Sequence, residues 1–171
     1  MSMWVSVYCQ KQIGNLQPSD LVAAIRDRLN AFSDPAQEDP KDALARLRVE
    51  ELAKSDDFQL LHLHYLDLDL PVVILCFFNR EEVAAEVQGC LEQLSKDKQS
   101  PNAPVVREHL AQVVEIYHFC FKQQHADGIG TPLVYAGSSW LAHRGKGLIR
   151  VEGRGWVQLA QGGKFAALES Q

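Results

Sequence analysis

Apolar residues follow two different spacings along the chain, one typical of strands and one typical of helices. Residues 3–9 are rich in strand formers with partial alternation, which predicts a first strand. Two later apolar runs, 57–65 and 71–78, are joined by a short loop and predict an antiparallel pair of strands. Because Val72–Phe78 is apolar at every position, we expect that strand to be covered on both faces.

Apolar residues spaced three or four apart predict five helices. The helix beginning near residue 80 is the best supported, since Asn79 suits an N-cap and Glu82 stands where a capping box needs a carboxylate. The fourth helix has an alternative, because the strand formers at 116–121 would also suit a strand. The predicted helices span residues 19–32, 41–54, 80–95, 104–123 and 131–144.

The last part of the chain predicts a hairpin. Gly145 and Gly147 end the preceding helix, residues 147–159 form two short apolar segments around a turn, and the tail from about residue 163 is expected to be loose. A length of 171 residues suits one domain. The pattern predicts a single α+β domain over residues 1–171: a small, mainly antiparallel sheet covered by about five helices, with a C-terminal β-hairpin.

The composition of the chain predicts where in the cell the protein is found. The beginning of the chain lacks the features of a secretory signal, and its longest apolar run is too short to cross a bilayer. The four cysteines lie far apart in apolar stretches, which is typical of reduced, buried thiols. We therefore expect a cytoplasmic protein without a membrane partner. Nothing in the sequence indicates an oligomeric state.

Charge is distributed unevenly. The net charge is −5, yet residues 144–171 carry five Lys and Arg against two acidic residues, so the rest of the chain is strongly acidic. An acidic body attracts basic partners. The leading prediction is a non-catalytic module that binds a basic protein partner and uses no cofactor. The candidate contacts are Asp56, Asp57, Asp67 and Asp69.

A histidine pair supports a first alternative, an enzyme or metalloprotein. On a strand, His62 and His64 would point to one face, where Asp67 or Asp69 could complete a metal site. His118 and Cys120 would add zinc-ligand types if their segment were extended. No Cys-x-x-Cys or His-Glu-x-x-His motif accompanies the pair, and aspartates between strands are common turn residues.

The basic C-terminal region supports a second alternative, nucleic-acid binding. The helix at 131–144 and the following hairpin are similar to the recognition helix and wing of a winged-helix unit. That helix is poor in base-reading side chains, and the acidic body would repel phosphates. The residues placed to meet phosphates are Arg144, Lys146, Arg150 and Arg154.

Residues 140–156 carry a resemblance. Trp140, Leu141, Ala142 and the run from Gly145 to Trp156 resemble the C-terminal ends of small uncharacterised bacterial proteins, some of toxin-immunity type. The likeness covers about 30 residues and brings no catalytic motif. It implies an intracellular partner protein that neutralises a cognate toxin.

Overall fold

The computed structural model describes residues 1–34, 39–66, 70–97 and 100–168. In this part of the chain eight strands form one antiparallel sheet in the order β2-β3-β4-β5-β1-β6-β7-β8. The predicted α+β class is confirmed, but the sheet is larger than the small sheet predicted. The strands are β1 Ser2–Cys9, β2 Arg48–Lys54, β3 Phe58–His64, β4 Val72–Phe77, β5 Glu115–Lys122, β6 Gly147–Val151, β7 Gly155–Leu159 and β8 Phe165–Ala167.

Helices lie in three groups along the described chain, before β2, before β5 and before β6. Three of the helices match a predicted helix over its length, and two match only the first half of one. The antiparallel pairing of β3 with β4 is also confirmed. The helices are α1 Pro18–Arg28, α2 Lys41–Arg46, α3 Arg80–Lys96, α4 Ala103–Leu110, α5 Gln123–Ala126 and α6 Gly130–Gly145, with a 3-10 turn at Leu29–Ala31. Among the described residues, no helix has both the length and the apolar content to span a bilayer.

The N-terminus of α3 forms as the sequence predicts. Asn79 Oδ1 accepts the backbone N–H groups of Glu81 at 2.8 Å and Glu82 at 3.3 Å. The N–H of Asn79 donates to the carbonyl of Asp57, at 3.2 Å, so this tertiary contact takes the place of the return bond of a capping box. The cap therefore fixes both the start of α3 and its position beside the β2–β3 turn.

The helix predicted at 104–123 is wrong over its second half. Helix α4 ends at Leu110, and residues 115–122 form β5 in the middle of the sheet. The side chains of Ile116, Tyr117 and Phe119 are fully buried. A strand covered on both faces is apolar at nearly every position, and such a run also matches a helical spacing by chance. The strand that the strand formers at 116–121 offered as the alternative is therefore the one that forms.

The helix predicted at 41–54 is also wrong over its second half. Helix α2 ends at Arg46, and β2 follows as an edge strand paired with β3. Most of its residues are exposed, so no buried stripe marked it as a strand in the sequence. Ser55, Asp56 and Asp57 form the tight turn that returns the chain into β3. Strand pairing thus overrode a weak helical pattern.

Helices cover the two faces of the sheet unequally. Helices α1 and α6 pack on the first face, around buried residues that include Val7, Ile74 and Phe119. Helices α3 and α4 cover only part of the second face, where Tyr8 and Ile116 are buried. The prediction that 72–78 is covered on both faces therefore holds for one face alone. The open face consists of the exposed Trp4 and the partly exposed residues Leu60, His62, His64, Val73, Leu75, Phe77 and Cys120.

The C-terminal hairpin forms from β6 and β7, as predicted, and joins the main sheet through β1. Within the segment predicted to be loose, β8 pairs with β7 and Leu168 is buried. Residues 169–171 lie outside the described part of the chain. Cys9, Cys76 and Cys90 are buried free thiols, and Cys120 is partly exposed.

Candidate metal centre

Three potential metal ligands meet where β2 pairs with β3. Glu50 stands opposite His62 in the strand register, and His64 follows two residues later on the same face. One ligand atom from each of these side chains lies within 4.8 Å of the other two. The predicted histidine pair is thus on one face of a strand, and its partner is a glutamate of the neighbouring strand.

The local fold follows from the alternation of β3. Leu61 and Leu63 are fully buried beneath the first face of the sheet, so His62 and His64 must point to the second face. A shift of the register by one residue would bury both imidazoles and expose both leucines, which is costly. Burial of two leucines therefore holds the two histidines in place.

The spacing of two ligand atoms already suits a zinc ion. His64 Nε2 and Glu50 Oε2 are 3.4 Å apart. Two atoms bonded to one tetrahedral zinc at about 2.0–2.1 Å are separated by about 3.4 Å. The Glu50 side chain is 52% exposed and the His64 side chain 14%. The glutamate can therefore adjust its rotamer, whereas the histidine is held by its surroundings.

The polar atoms of this cluster are incompletely satisfied. His64 Nε2 is buried and has no hydrogen-bond partner among the described residues, since 3.4 Å to Glu50 is too long for a good bond. Burial, together with the neighbouring His64, lowers the pKa of His62, while Glu50 opposes that change. A lowered pKa keeps the imidazole of His62 neutral near pH 7, which is the form that binds metals.

The structure describes only some of the other predicted metal ligands. Asp67 and Asp69 lie outside the described residues. His118 and Cys120 share the second face of β5, as expected for an extended segment, but Cys120 is separated from His62 by β4. Two strand spacings amount to about 10 Å. The nitrogen Nδ1 of His118 is already hydrogen-bonded to Ser6 Oγ at 2.7 Å.

Glu50 was missed because residues 41–54 were predicted to be one helix. A signal for it was present in the sequence. Ser55, Asp56 and Asp57 are turn-forming residues between two segments of similar length, which is typical of a β-hairpin. A hairpin there would have placed Glu50 opposite the histidine pair.

The remaining acidic candidates lie at a turn. Asp56 and Asp57 are exposed between β2 and β3, at the end of β3 away from His64. The carbonyl of Asp57 accepts the N–H of Phe78 at 2.9 Å, so its backbone has a structural role. Their carboxylates remain available to a partner.

The four basic candidates do not form one surface. Arg144 lies on α6, on the first face of the sheet, with its guanidinium 5.1 Å from the Trp140 ring centre. Arg150 points to the second face, where it donates to Gln93 of α3. Lys146 terminates α6, and Arg154 is exposed in the β6–β7 turn. Helix α6 is largely buried against the sheet, unlike a recognition helix that must enter a groove.

No protein-family model, no curated protein and no solved structure matches this chain. The resemblance of residues 140–156 to toxin-immunity proteins therefore stays a prediction from the sequence.

Proposed function

We propose that this chain is a metalloprotein that binds one divalent transition-metal ion through Glu50, His62 and His64. The observation that carries the proposal is the convergence of three ligand atoms within 4.8 Å. The buried Nε2 of His64 supports it, because this atom makes no hydrogen bond with the described residues and a bound cation would satisfy it. The leading prediction from the sequence used no cofactor, and the proposal develops the first alternative, a metalloprotein using His62 and His64.

The types of ligand favour zinc over other common ions. Two imidazoles and one carboxylate form a set that zinc accepts, whereas magnesium and calcium prefer oxygen ligands alone. The same set also suits Fe²⁺ or Mn²⁺, so selection depends on metal supply as well as on geometry. The separation of 3.4 Å between His64 and Glu50 matches tetrahedral zinc.

The described residues supply three protein ligands, and this number favours a role in chemistry for the bound ion. Structural zinc sites use four protein ligands, while catalytic sites use three and keep a position for water or substrate. Zinc lowers the pKa of bound water to about 7, so hydroxide forms near neutral pH. The centre lies beside the sheet edge on the open face, where solvent reaches Glu50. We propose hydrolysis by metal-activated water as the class of activity.

Calorimetric titration of untagged protein with zinc chloride near pH 7 tests the metal site. We expect one equivalent to bind to the wild type. His62→Ala, His64→Ala and Glu50→Gln should each weaken binding by more than about 100-fold, because even the loss of groups behind the ligands costs about 10–100-fold.

Matched controls exist on the surface of the same protein. His143→Ala and Glu108→Gln remove an exposed histidine and an exposed glutamate that lie outside the cluster, so zinc binding should be unchanged. Circular dichroism of every variant reports whether the fold survives. Equal zinc affinity in wild type and in folded ligand variants would refute the site.

A further inference from the structure

A cleft lies on the same face of the sheet as the candidate metal centre, nearer the middle of the sheet. This cleft has a volume of about 510 Å³ and is bounded by β1, β4, β5, helix α3 and the β6–β7 turn. Ser6 and His118 form its floor, Trp4 and Phe77 contribute aromatic walls, and charged side chains stand around it. Volumes of about 300–1,000 Å³ are typical of small-molecule sites. We name this feature the sheet cleft.

The floor and walls of the sheet cleft support one another. Ser6 Oγ and His118 Nδ1 are hydrogen-bonded at 2.7 Å across paired strands. The His118 ring meets Trp4 edge-on at 5.8 Å and Phe77 at 5.6 Å between ring centres. Edge-to-face pairs of this kind are stabilising. The aromatic surface is therefore preformed, and 39% of Trp4 remains exposed to a ligand.

Carboxylates dominate the charge of the sheet cleft. Glu86 Oε2 lies 3.7 Å from His118 Nε2, and Glu152 Oε2 accepts the backbone N–H of Trp4 at 2.9 Å. Burial lowers the pKa of His118 to about 4, so the imidazole is neutral at pH 7 and adds no positive charge.

One guanidinium, that of Arg150, also borders the sheet cleft. Arg150 donates to Gln93, and its guanidinium lies 5.7 Å from the centre of the Trp156 ring, so both contacts draw it toward α3 and β7. Two carboxylates therefore face one guanidinium that already has partners. The sheet cleft therefore has an excess of negative charge, together with an aromatic wall.

The contacts from Ser6 to His118 and from His118 to Glu86 could also indicate an enzyme that catalyses acyl transfer. The surroundings argue against it. Strand β1 is hydrogen-bonded to β5 and β6 on its two sides, so the backbone N–H groups beside Ser6 are used within the sheet and cannot hold an oxyanion. The separation of 3.7 Å between His118 and Glu86 is also too long for an orienting hydrogen bond.

We propose that the sheet cleft binds a small organic cation, an amine or quaternary ammonium compound with an apolar part. Its positive head lies over Trp4 beside Glu86 and Glu152, and its apolar part packs on Leu75 and Phe77. Aromatic rings attract cations through their negative faces, and carboxylates add to that attraction. This site is separate from the metal centre and does not depend on it.

Binding of benzyltrimethylammonium tests the proposal, with benzyl alcohol and benzoate as neutral and anionic compounds carrying the same ring. Titrations followed by NMR in the presence of a chelator keep the metal centre empty. We expect the cation to shift the indole signal of Trp4, assigned with Trp4→Phe, and to bind at least about 5-fold more tightly than the alcohol. Benzoate should bind more weakly than both.

Two variants on helix α3 separate the effect of the Glu86 charge on cation binding from unspecific effects of a substitution on that helix. Glu86→Gln should weaken the cation by about 5-fold with little effect on benzyl alcohol. Glu92→Gln, an exposed glutamate on the same helix and outside the sheet cleft, should change neither. The proposal would be overturned if benzoate bound as tightly as the cation or more tightly. It would also be overturned if Glu86→Gln and Glu92→Gln lost affinity for the cation equally, or if the cation did not bind.

Discussion

We expect acid to destabilise this fold through protonation of His118. The imidazole is buried on the second face of the sheet, among Trp4, Tyr8 and Phe77, and burial lowers its pKa from 6.5 to about 4. Between these two pH values the unfolded chain binds a proton that the folded chain excludes. The free energy of unfolding therefore falls as the pH falls through this window, and the stability is fully present above pH 6.5.

The size of this effect follows from the two pKa values. A separation of about 2.5 pH units corresponds to about 3 kcal/mol once both forms are titrated, at 1.36 kcal/mol for each unit. Between pH 7 and pH 5 the expected loss is about 2 kcal/mol. The charged groups that line the sheet cleft around His118 are Glu86 and Glu152, which would stabilise an imidazolium, and Arg150, which would not. Glu86 is about half exposed, so solvent screens its contribution.

Urea denaturation at pH 7 and pH 5 measures the effect, with His118→Gln as the comparison. Glutamine can still bond to Ser6 but does not titrate, so the variant should lose about 2 kcal/mol less than the wild type between the two pH values. His62, His109 and His125 titrate in both proteins, and their contributions cancel in the difference. The same loss in wild type and variant would refute the assignment to His118.

Three further predictions concern stability. Gly145→Ala would place a Cβ 2.5 Å from Cys9 Sγ, so we expect a loss of about 1–3 kcal/mol in urea denaturation. Gly89 lies on the exposed side of α3, where an added Cβ meets none of the described residues within 4 Å, so Gly89→Ala should gain about 0.5–1 kcal/mol. Similar changes at both sites would contradict this. Zinc at about 100 times its dissociation constant should stabilise the wild type by about 2.7 kcal/mol, which is measured as a rise in melting temperature. The same zinc concentration should hardly change the melting temperature of His64→Ala. Asn79→Ala should cost about 1 kcal/mol in the same urea assay, because two N–H groups of α3 lose their acceptor, and an unchanged midpoint would show that the cap contributes nothing.

Local patterns in the sequence predicted those elements whose burial is regular. Helix α3 has a capping residue and a buried stripe, and β3 alternates strictly between buried and partly exposed residues. The same alternation placed His62 and His64 on one face. Where a segment is buried on both sides, as in β5, or exposed on both sides, as in β2, the period carries little information, and the structure of those segments came from pairing with neighbouring strands.

The two sites could be predicted only in part, because each is assembled from distant residues. Glu50 joins the histidine pair through the pairing of β2 with β3, which a helix over 41–54 excludes. The sheet cleft combines Trp4, Glu86, His118 and Glu152, which no local pattern connects. The sequence supplied the types of residue, and the long-range register of the sheet supplied their proximity.

The most direct test of the central claim is a crystal structure of the zinc-loaded protein with anomalous scattering measured at the zinc edge. The account predicts one strong anomalous peak, about 2.0–2.2 Å from a Glu50 carboxylate oxygen and from one imidazole nitrogen each of His62 and His64, with a further position open to water. A peak bound elsewhere on the chain, or no peak in protein saturated with zinc, would contradict it.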